Sequence, residues 1–128
     1  MTLLPADVGT GIVFRRTDIA GDEGIIAASW KNVVDTRMAT TIGNEGGAKI
    51  STIEHLMAAL AGCGVDNAIV EINGPEVPVM DGSAAPFVFL VECAGLRHQD
   101  APRRAIRIDR PITVGDNQKS LTLSPEET

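Results

Sequence analysis

Two adjacent residues, Glu54 and His55, carry the clearest chemical signal in the sequence. A glutamate can act as a general base and a histidine can bind a metal ion, and metal-assisted hydrolysis needs both. The only other histidine in the sequence, His98, lies in a polar stretch and is expected to be a solvated loop residue. A catalytic zinc ion usually takes three protein ligands. Residue types and spacing therefore indicate half of a metal site at most.

Each remaining candidate residue has a structural explanation beside a chemical one. Glu54 could be a base or a carboxylate that interacts favourably with the positive end of a helix dipole. Asp81 could be catalytic, but an aspartate before a glycine and a serine is also typical of a turn that leads into a helix. Lys119 follows a predicted turn and could bind a phosphate, or it could simply be solvated. The spacing alone leaves these alternatives open.

Two short helices are predicted to position these residues. The first is expected to begin near Ser51 or Thr52, with a hydroxyl side chain as its cap, and to end at Gly62 or Gly64. The second is expected to be capped by Ser83 and to run to the glycine at position 95, with a proline tolerated in its first turn. Extended segments are predicted at residues 11–16, 25–30, 33–41, 66–73, 105–114 and 119–123, with turns at 44–47 and 115–117.

Neither predicted helix carries the charged face of an ordinary surface helix. In the second helix, residues 84–94, Glu92 is the single charged residue. One sheet can cover only one side of such helices, so the sequence predicts that another domain or subunit covers the other side, although small residues can also face solvent harmlessly. The first helix has an expected core stripe of Ile53, Leu56, Met57, Leu60 and Ala61, and an opposite face of His55, Ala58, Ala59 and Gly62.

Composition narrows the class of protein. The 128 residues provide for one domain, and 44% hydrophobic with 3% aromatic residues predicts an aliphatic core. A net charge of −6 argues against a nucleic-acid partner, since phosphate binding needs a basic face. No apolar run is long enough to span a membrane, and the pattern indicates a cytoplasmic protein. Cys63 and Cys93 are expected to be buried, reduced thiols.

Four segments carry a resemblance to a known enzyme family. They are residues 35–37 (DTR), 51–62 (STIEHLMAALAG), 66–67 (DN) and 74–87 (GPEVPVMDGSAAPF). In this order they resemble the UDP-3-O-acyl-N-acetylglucosamine deacetylases, which are zinc enzymes of lipid A biosynthesis in Gram-negative bacteria. The Glu-His helix and the Met-Asp-Gly-Ser-Ala turn are the most specific parts of the match.

The resemblance implies a role for three residues. His55 would be one ligand of a catalytic Zn²⁺, and Glu54 would be the base that activates the zinc-bound water. That water would attack the N-acyl carbonyl of a UDP-linked acyl glucosamine and release acetate and a free amine. Lys119 would lie near the diphosphate of this substrate, although Ser120 stands where the family commonly has an aromatic residue.

The resemblance also implies an architecture. We expect an α+β fold, a two-layer sandwich of a mainly antiparallel sheet with two helices packed on one face, which is half of a two-domain sheet-helix-helix-sheet enzyme. Residues 1–100 would be the first deacetylase domain with an incomplete N-terminus, and residues 101–128 would be the opening strands of a truncated second domain. The other zinc ligands would belong to that second domain, so the polypeptide alone is expected to lack activity. The alternative is a non-catalytic module whose uncovered helix face binds another protein.

Overall fold

The computed structural model describes residues 1–103, 105–116 and 118–126, and these contain two α-helices and nine β-strands. The predicted α+β class is confirmed. Neither helix in these residues has the length and apolar character needed to cross a membrane. The helices are α1 (Glu54–Gly62) and α2 (Ala85–Ala94). The strands are β1 (Thr2–Pro5), β2 (Ile12–Arg16), β3 (Ile25–Ala27), β4 (Val33–Asp35), β5 (Thr41–Gly43), β6 (Lys49–Ile50), β7 (Ala68–Ile72), β8 (Ile112–Gly115) and β9 (Ser120–Leu123).

The main sheet has the strand order β1-β7-β2-β3. β1 with β7 and β2 with β3 pair antiparallel, whereas β2 and β7 pair parallel. A parallel pair requires a long crossover connection, and the crossover from β2 to β7 contains α1. A second, antiparallel sheet has the order β4-β5-β6, and Ile42 faces Ile50 across the turn predicted at residues 44–47. This hairpin prediction is confirmed.

One face of the main sheet is buried, and the other is more exposed and carries both apolar and charged residues. Along β7, Ala68, Val70 and Ile72 are buried, as the two-residue period of a strand requires. Glu71 points to the opposite face, where its carboxylate lies 3.3 Å from the Arg15 guanidinium on β2. The sheet therefore has one face available for packing helices, and the two-layer arrangement follows.

Both helices pack on the apolar face of the sheet and against each other. Leu56 of α1 and Phe87 of α2 are 0% and 1% exposed, and they belong to the same buried cluster as Phe14 and Val70 of the main sheet. The second sheet contributes to this cluster through Ile42 and Ile50. The core is aliphatic apart from two phenylalanines, in keeping with the composition.

The start of α1 differs from its prediction. The helix begins at Glu54, Ile53 occupies the N-cap position, and no side chain of the described residues caps it. The two hydroxyls expected to do so are engaged elsewhere: Ser51 donates to the Pro75 carbonyl, and Thr52 donates to the Glu76 carboxylate. The predicted hydroxyl cap is therefore wrong. The predicted end at Gly62 is confirmed.

The buried face of α1 is also rotated from its prediction. Ala59, expected on the outer face, is 0% exposed, whereas Ala61, expected in the core stripe, is exposed. At about 100° per residue, Ala59 lies on the far side of Leu56 from Met57, which is only half-buried. The core therefore covers a helix surface centred on Leu56, Leu60 and Cys63.

The C-terminal part forms a separate hairpin of β8 and β9. Of the strand predicted at 105–114, only the end is paired in a sheet, since β8 begins at Ile112; the strand predicted at 119–123 matches β9. The turn predicted at 115–117 includes Asn117, which lies outside the described residues. The segment before the hairpin is attached to the first part of the chain, because Arg103 bonds the Asp66 carboxylate at 2.8 Å and Gln99 bonds Asn67.

Candidate functional site

Glu54 and His55 lie in the first turn of α1, and both are half-buried. The backbone N–H of Thr40 donates a hydrogen bond to Glu54 Oε2 at 3.0 Å. In return, the Ile53 N–H donates to the Thr40 carbonyl at 3.4 Å. This pair of bonds attaches the loop between β4 and β5 to the start of α1. It also fixes one oxygen of the Glu54 carboxylate, while Oε1 has no hydrogen bond to any other described residue.

His55 presents a buried ring nitrogen with no partner. Its Nδ1 atom is buried and has no hydrogen-bond partner among the residues described. Buried polar atoms in folded proteins are nearly always satisfied, so an orphaned one calls for a group that completes it. An imidazole nitrogen can be completed by a metal ion, a water molecule or a polar group of another segment.

Asp81 is engaged in the turn that leads into α2. Its Oδ1 accepts bonds from the Ser83 N–H at 2.9 Å and from the Ser83 hydroxyl at 2.8 Å. These two bonds hold the pKa of the Asp81 carboxyl below its ordinary value. Ser83 Oγ in turn accepts from the Ala85 N–H at 3.2 Å. Ala84, however, occupies the N-cap position of α2 and no side chain among the described residues caps it, so the predicted cap at Ser83 is wrong. The structure thus supports the structural explanation of Asp81.

A second set of contacts holds the segment just before α1. The Ser51 N–H donates to the Pro75 carbonyl at 2.8 Å, and the Val77 N–H donates to the Ser51 carbonyl at 3.1 Å. The buried Thr52 hydroxyl donates to Glu76 Oε1 at 2.7 Å. Sequence reasoning missed Thr40, Thr52 and Glu76 as partners of the site, because these contacts join residues 14 and 24 positions apart.

A shallow groove of about 330 Å³ lies along the loop that contacts Glu54. The guanidinium of Arg37 lies 2.6 Å from the Asp35 carboxylate and lowers the pKa of that carboxyl to about 2. Met38 is 97% exposed at the groove, a high value for a large apolar side chain. A larger groove, of about 400 Å³, is lined by Arg16, Lys49 and neighbouring residues. Neither groove is lined by Glu54 or His55. The smaller groove lies beside the loop that Thr40 joins to Glu54.

The remaining candidates do not join this group. Lys119 is exposed in the β8–β9 hairpin, where its N–H donates to the Asp116 carboxylate. Within the described residues, no hydrogen bond or ion pair links Lys119 to Glu54 or His55. His98 is exposed, which agrees with the prediction of a solvated loop residue.

The residues present fit one ligand of a zinc site but not a whole site. The orphaned Nδ1 shows that the His55 ring lacks a partner. No group of three or more histidine, cysteine, aspartate or glutamate side chains in the described part of the chain could hold a metal ion. Any complete site would therefore need ligands from other residues.

The helices expose an apolar surface on the side away from the sheet. On α2, Phe89 and Leu90 are 64% and 52% exposed. On α1, Ala58 and Ala61 are exposed as well. Cys93 is also exposed, so the prediction that both cysteines are buried is wrong for this one. Large exposed apolar patches commonly mark surfaces that pack against another element.

Comparison with known proteins agrees with these features. Residues 1–128 match the family model of the UDP-3-O-acyl N-acetylglycosamine deacetylases. Proteins named UDP-3-O-acyl-N-acetylglucosamine deacetylase from Acidithiobacillus ferrooxidans and Phenylobacterium zucineum are 55% and 54% identical over 98% and 96% of this chain. One from Legionella pneumophila is 52% identical over 99%. The chain spans 40–42% of the length of these relatives. The chain belongs to the UDP-3-O-acyl N-acetylglycosamine deacetylase family.

Proposed function

We propose that this chain provides half of the active site of a deacetylase that removes the N-acetyl group from UDP-3-O-acyl-N-acetylglucosamine in lipid A biosynthesis. The observation that carries the proposal is the Glu54-His55 pair, with an anchored carboxylate beside an imidazole whose buried nitrogen has no partner in the described chain. The family and the names of the relatives support the substrate and the reaction.

In this reaction Glu54 acts as the general base. Its Oε2 is held by the Thr40 N–H, which leaves Oε1 to accept a proton from an attacking water molecule. The water oxygen forms a bond to the acetyl carbonyl carbon, the C–N bond breaks, the sugar nitrogen takes up a proton, and acetate and a free amine result. A bound zinc ion would polarise the carbonyl and make the water more acidic. His55 would contribute one ligand to that ion.

The rest of the site would come from residues beyond the first domain, which we place at residues 1–100. We propose that a second domain, of which residues 101–128 are the opening strands, covers the exposed helix surface near Phe89 and Leu90 and supplies the other zinc ligands. Lys119, exposed on the hairpin in this second part, would contact the substrate diphosphate. We also propose a cytoplasmic location, because Cys63 and Cys93 are free thiols.

The test is reconstitution of the site from two polypeptides. The 128-residue chain is mixed with the remaining part of the Acidithiobacillus ferrooxidans relative, and bound zinc and release of acetate from UDP-3-O-acyl-N-acetylglucosamine are measured. We expect the mixture to bind zinc and to turn over, and each polypeptide alone to do neither. A mixture that forms a stable complex without zinc or turnover would instead favour a non-catalytic binding module.

His55→Ala serves as the matched variant in this test. The mixture with this variant should lose zinc while the 128-residue chain keeps its thermal stability, because His55 is only half-buried and lies outside the buried cluster. A large loss of stability in the absence of metal would make His55 a structural residue.

A further inference from the structure

We propose that the hydrogen bond between the Thr52 and Glu76 side chains forms a clamp that positions Glu54 and His55. Thr52 and Glu76 are then positioning residues for the deacetylase site. This inference rests on the proposed function above. It goes beyond that function because neither residue touches the groove or the reacting groups. Both act through the backbone that enters α1.

The clamp is a hydrogen bond at the edge of the core. Thr52 is 7% exposed, and its Oγ1 donates to Glu76 Oε1 at 2.7 Å across 24 residues of chain. A hydroxyl bond to a carboxylate is stronger than one between neutral groups. Thr52 is also the buried polar residue of the described core, so its hydroxyl needs this partner.

The backbone of Thr52 is strained in a way that requires a clamp. Its φ is +58°, a left-handed conformation that is a genuine outlier for a β-branched residue. Among the described non-glycine residues, only Met80 shares a positive φ. Such a conformation persists only where surrounding contacts fix it, and it occurs preferentially at functional sites.

The contacts that fix Thr52 lie on both sides of it. Before it, Ser51 is bound to Pro75 and Val77 through two backbone hydrogen bonds. After it, Ile53 is bound to the Thr40 carbonyl. Because no side chain in the described residues caps α1, the left-handed turn at Thr52 sets the direction in which the helix starts. A relaxed Thr52 would move the Glu54 carboxylate away from the Thr40 N–H.

The Thr40 amide therefore reports on the clamp without any need for activity. In the 128-residue chain, we expect Thr52→Val and Glu76→Ala to speed hydrogen exchange of the Thr40 amide about ten-fold or more. Amides of the central strand β7 should change little. Thr52→Ser, which keeps the hydroxyl, should retain the slow exchange. Thr113→Val is the matched control, because it also removes a hydroxyl that is hydrogen-bonded to another side chain, Thr122, but in the exposed hairpin.

The reconstituted protein gives a second measurement. We expect Thr52→Val to weaken zinc binding and to lower kcat, each by about ten-fold or more, with KM changed less than two-fold, as is typical when the support of a metal ligand or base is removed. Thr52→Ser should restore both.

Two results would overturn the clamp. One is that Thr52→Val speeds exchange of the Thr40 and β7 amides equally and leaves zinc affinity and kcat unchanged. This result would show that the Thr52 hydroxyl contributes to stability in general and does not position the site. The other is slow Thr40 exchange in Glu76→Ala, a variant at an exposed residue that should fold even if Thr52→Val does not. Failure of the reconstituted wild-type protein to turn over would count against the proposed function alone, because the Thr40 measurement does not depend on it.

Discussion

The two helices begin in opposite ways. The first turn of α1 has no side-chain cap from the described residues. It is held by two long-range contacts instead: the Thr40 N–H bonds Glu54, 14 residues away, and the Thr52 hydroxyl bonds Glu76, 24 residues away. The start of α2 is held by its own neighbours, since Asp81 accepts from Ser83 and Ser83 accepts from Ala85. One start is defined by tertiary structure and the other by local sequence.

This difference matches what each helix start does. Hydrogen bonds between neighbouring residues fix where a helix begins, but they set the position of a side chain relative to the rest of the protein only loosely. The Glu54 carboxylate is attached directly to the loop that forms the groove, through the Thr40 N–H. Long-range contacts of this kind are what a base needs if it is to stay aligned with a substrate.

The largest effect is expected at Glu54. In the reconstituted protein, Glu54→Gln should lower kcat about 10²–10⁴-fold, the usual contribution of a general base, with zinc affinity unchanged. Glutamine keeps an oxygen that can accept the Thr40 N–H, so the anchor is retained while the base is lost. Glu54→Ala should lose both and should also speed exchange of the Thr40 amide.

Glu45→Gln is the control for this substitution, since Glu45 is an exposed glutamate in the turn between β5 and β6. It should leave kcat unchanged. Turnover at the wild-type rate in Glu54→Gln would show that Glu54 anchors the loop and does no more, and the contrast between the two helix starts would then be purely structural.

The same contrast explains which predictions from the sequence succeeded. The end of α1 at Gly62 and the turn at residues 44–47 depend on local residue types, and the structure agrees with them. Ser83 bonds the Ala85 N–H, but the N-cap of α2 is Ala84, one residue later than predicted. The cap at Ser51 or Thr52 was wrong because both hydroxyls bind residues that follow β7. Thr40 could not be identified because it acts through its backbone N–H, which every residue except proline has. The prediction also exchanged Ala59 and Ala61, because the position of the sheet decides which side of α1 is buried.

The next largest effect concerns the local hydrogen bonds before α2. Ser83→Ala removes the acceptor of the Ala85 N–H and should lower the free energy of unfolding by about 1 kcal/mol, a typical loss for one hydrogen bond. Urea denaturation measures it. Exchange should speed up in α2 and not at Thr40. Ser29→Ala should cost less, because Ser29 accepts only a long 3.4 Å bond. Equal acceleration at Thr40 would mean that the two helix starts are coupled.

A smaller effect should distinguish the two left-handed residues. Met80 has a φ of +56° and is 57% exposed. Met80→Gly should raise the free energy of unfolding by about 0.5–1 kcal/mol, because relief of strain exceeds the entropic cost of glycine. Thr52→Gly relieves similar strain but loses the bond to Glu76, so it should give no gain. Equal gains in urea denaturation would show that the bond to Glu76 contributes nothing to stability.

The smallest effect should come from the exposed ion pair of Asp35 and Arg37, which lines the smaller groove. The Arg37 side chain, and then its N–H, lower the pKa of Asp35 from 3.8 to about 2. A carboxyl whose pKa is lowered by folding stabilises the folded state above its unfolded pKa, so this contribution is present above about pH 4 and is lost as the pH falls towards 2. Both side chains are exposed, and solvent screens the pair. An NMR titration should show the Asp35 pKa returning towards 3.8 in Arg37→Gln and staying low in the control Arg15→Gln.

Exchange of the Thr40 amide should rise less than two-fold in Arg37→Gln. A much larger rise would make the exposed loop, in place of Thr52 and Glu76, the main support of Glu54.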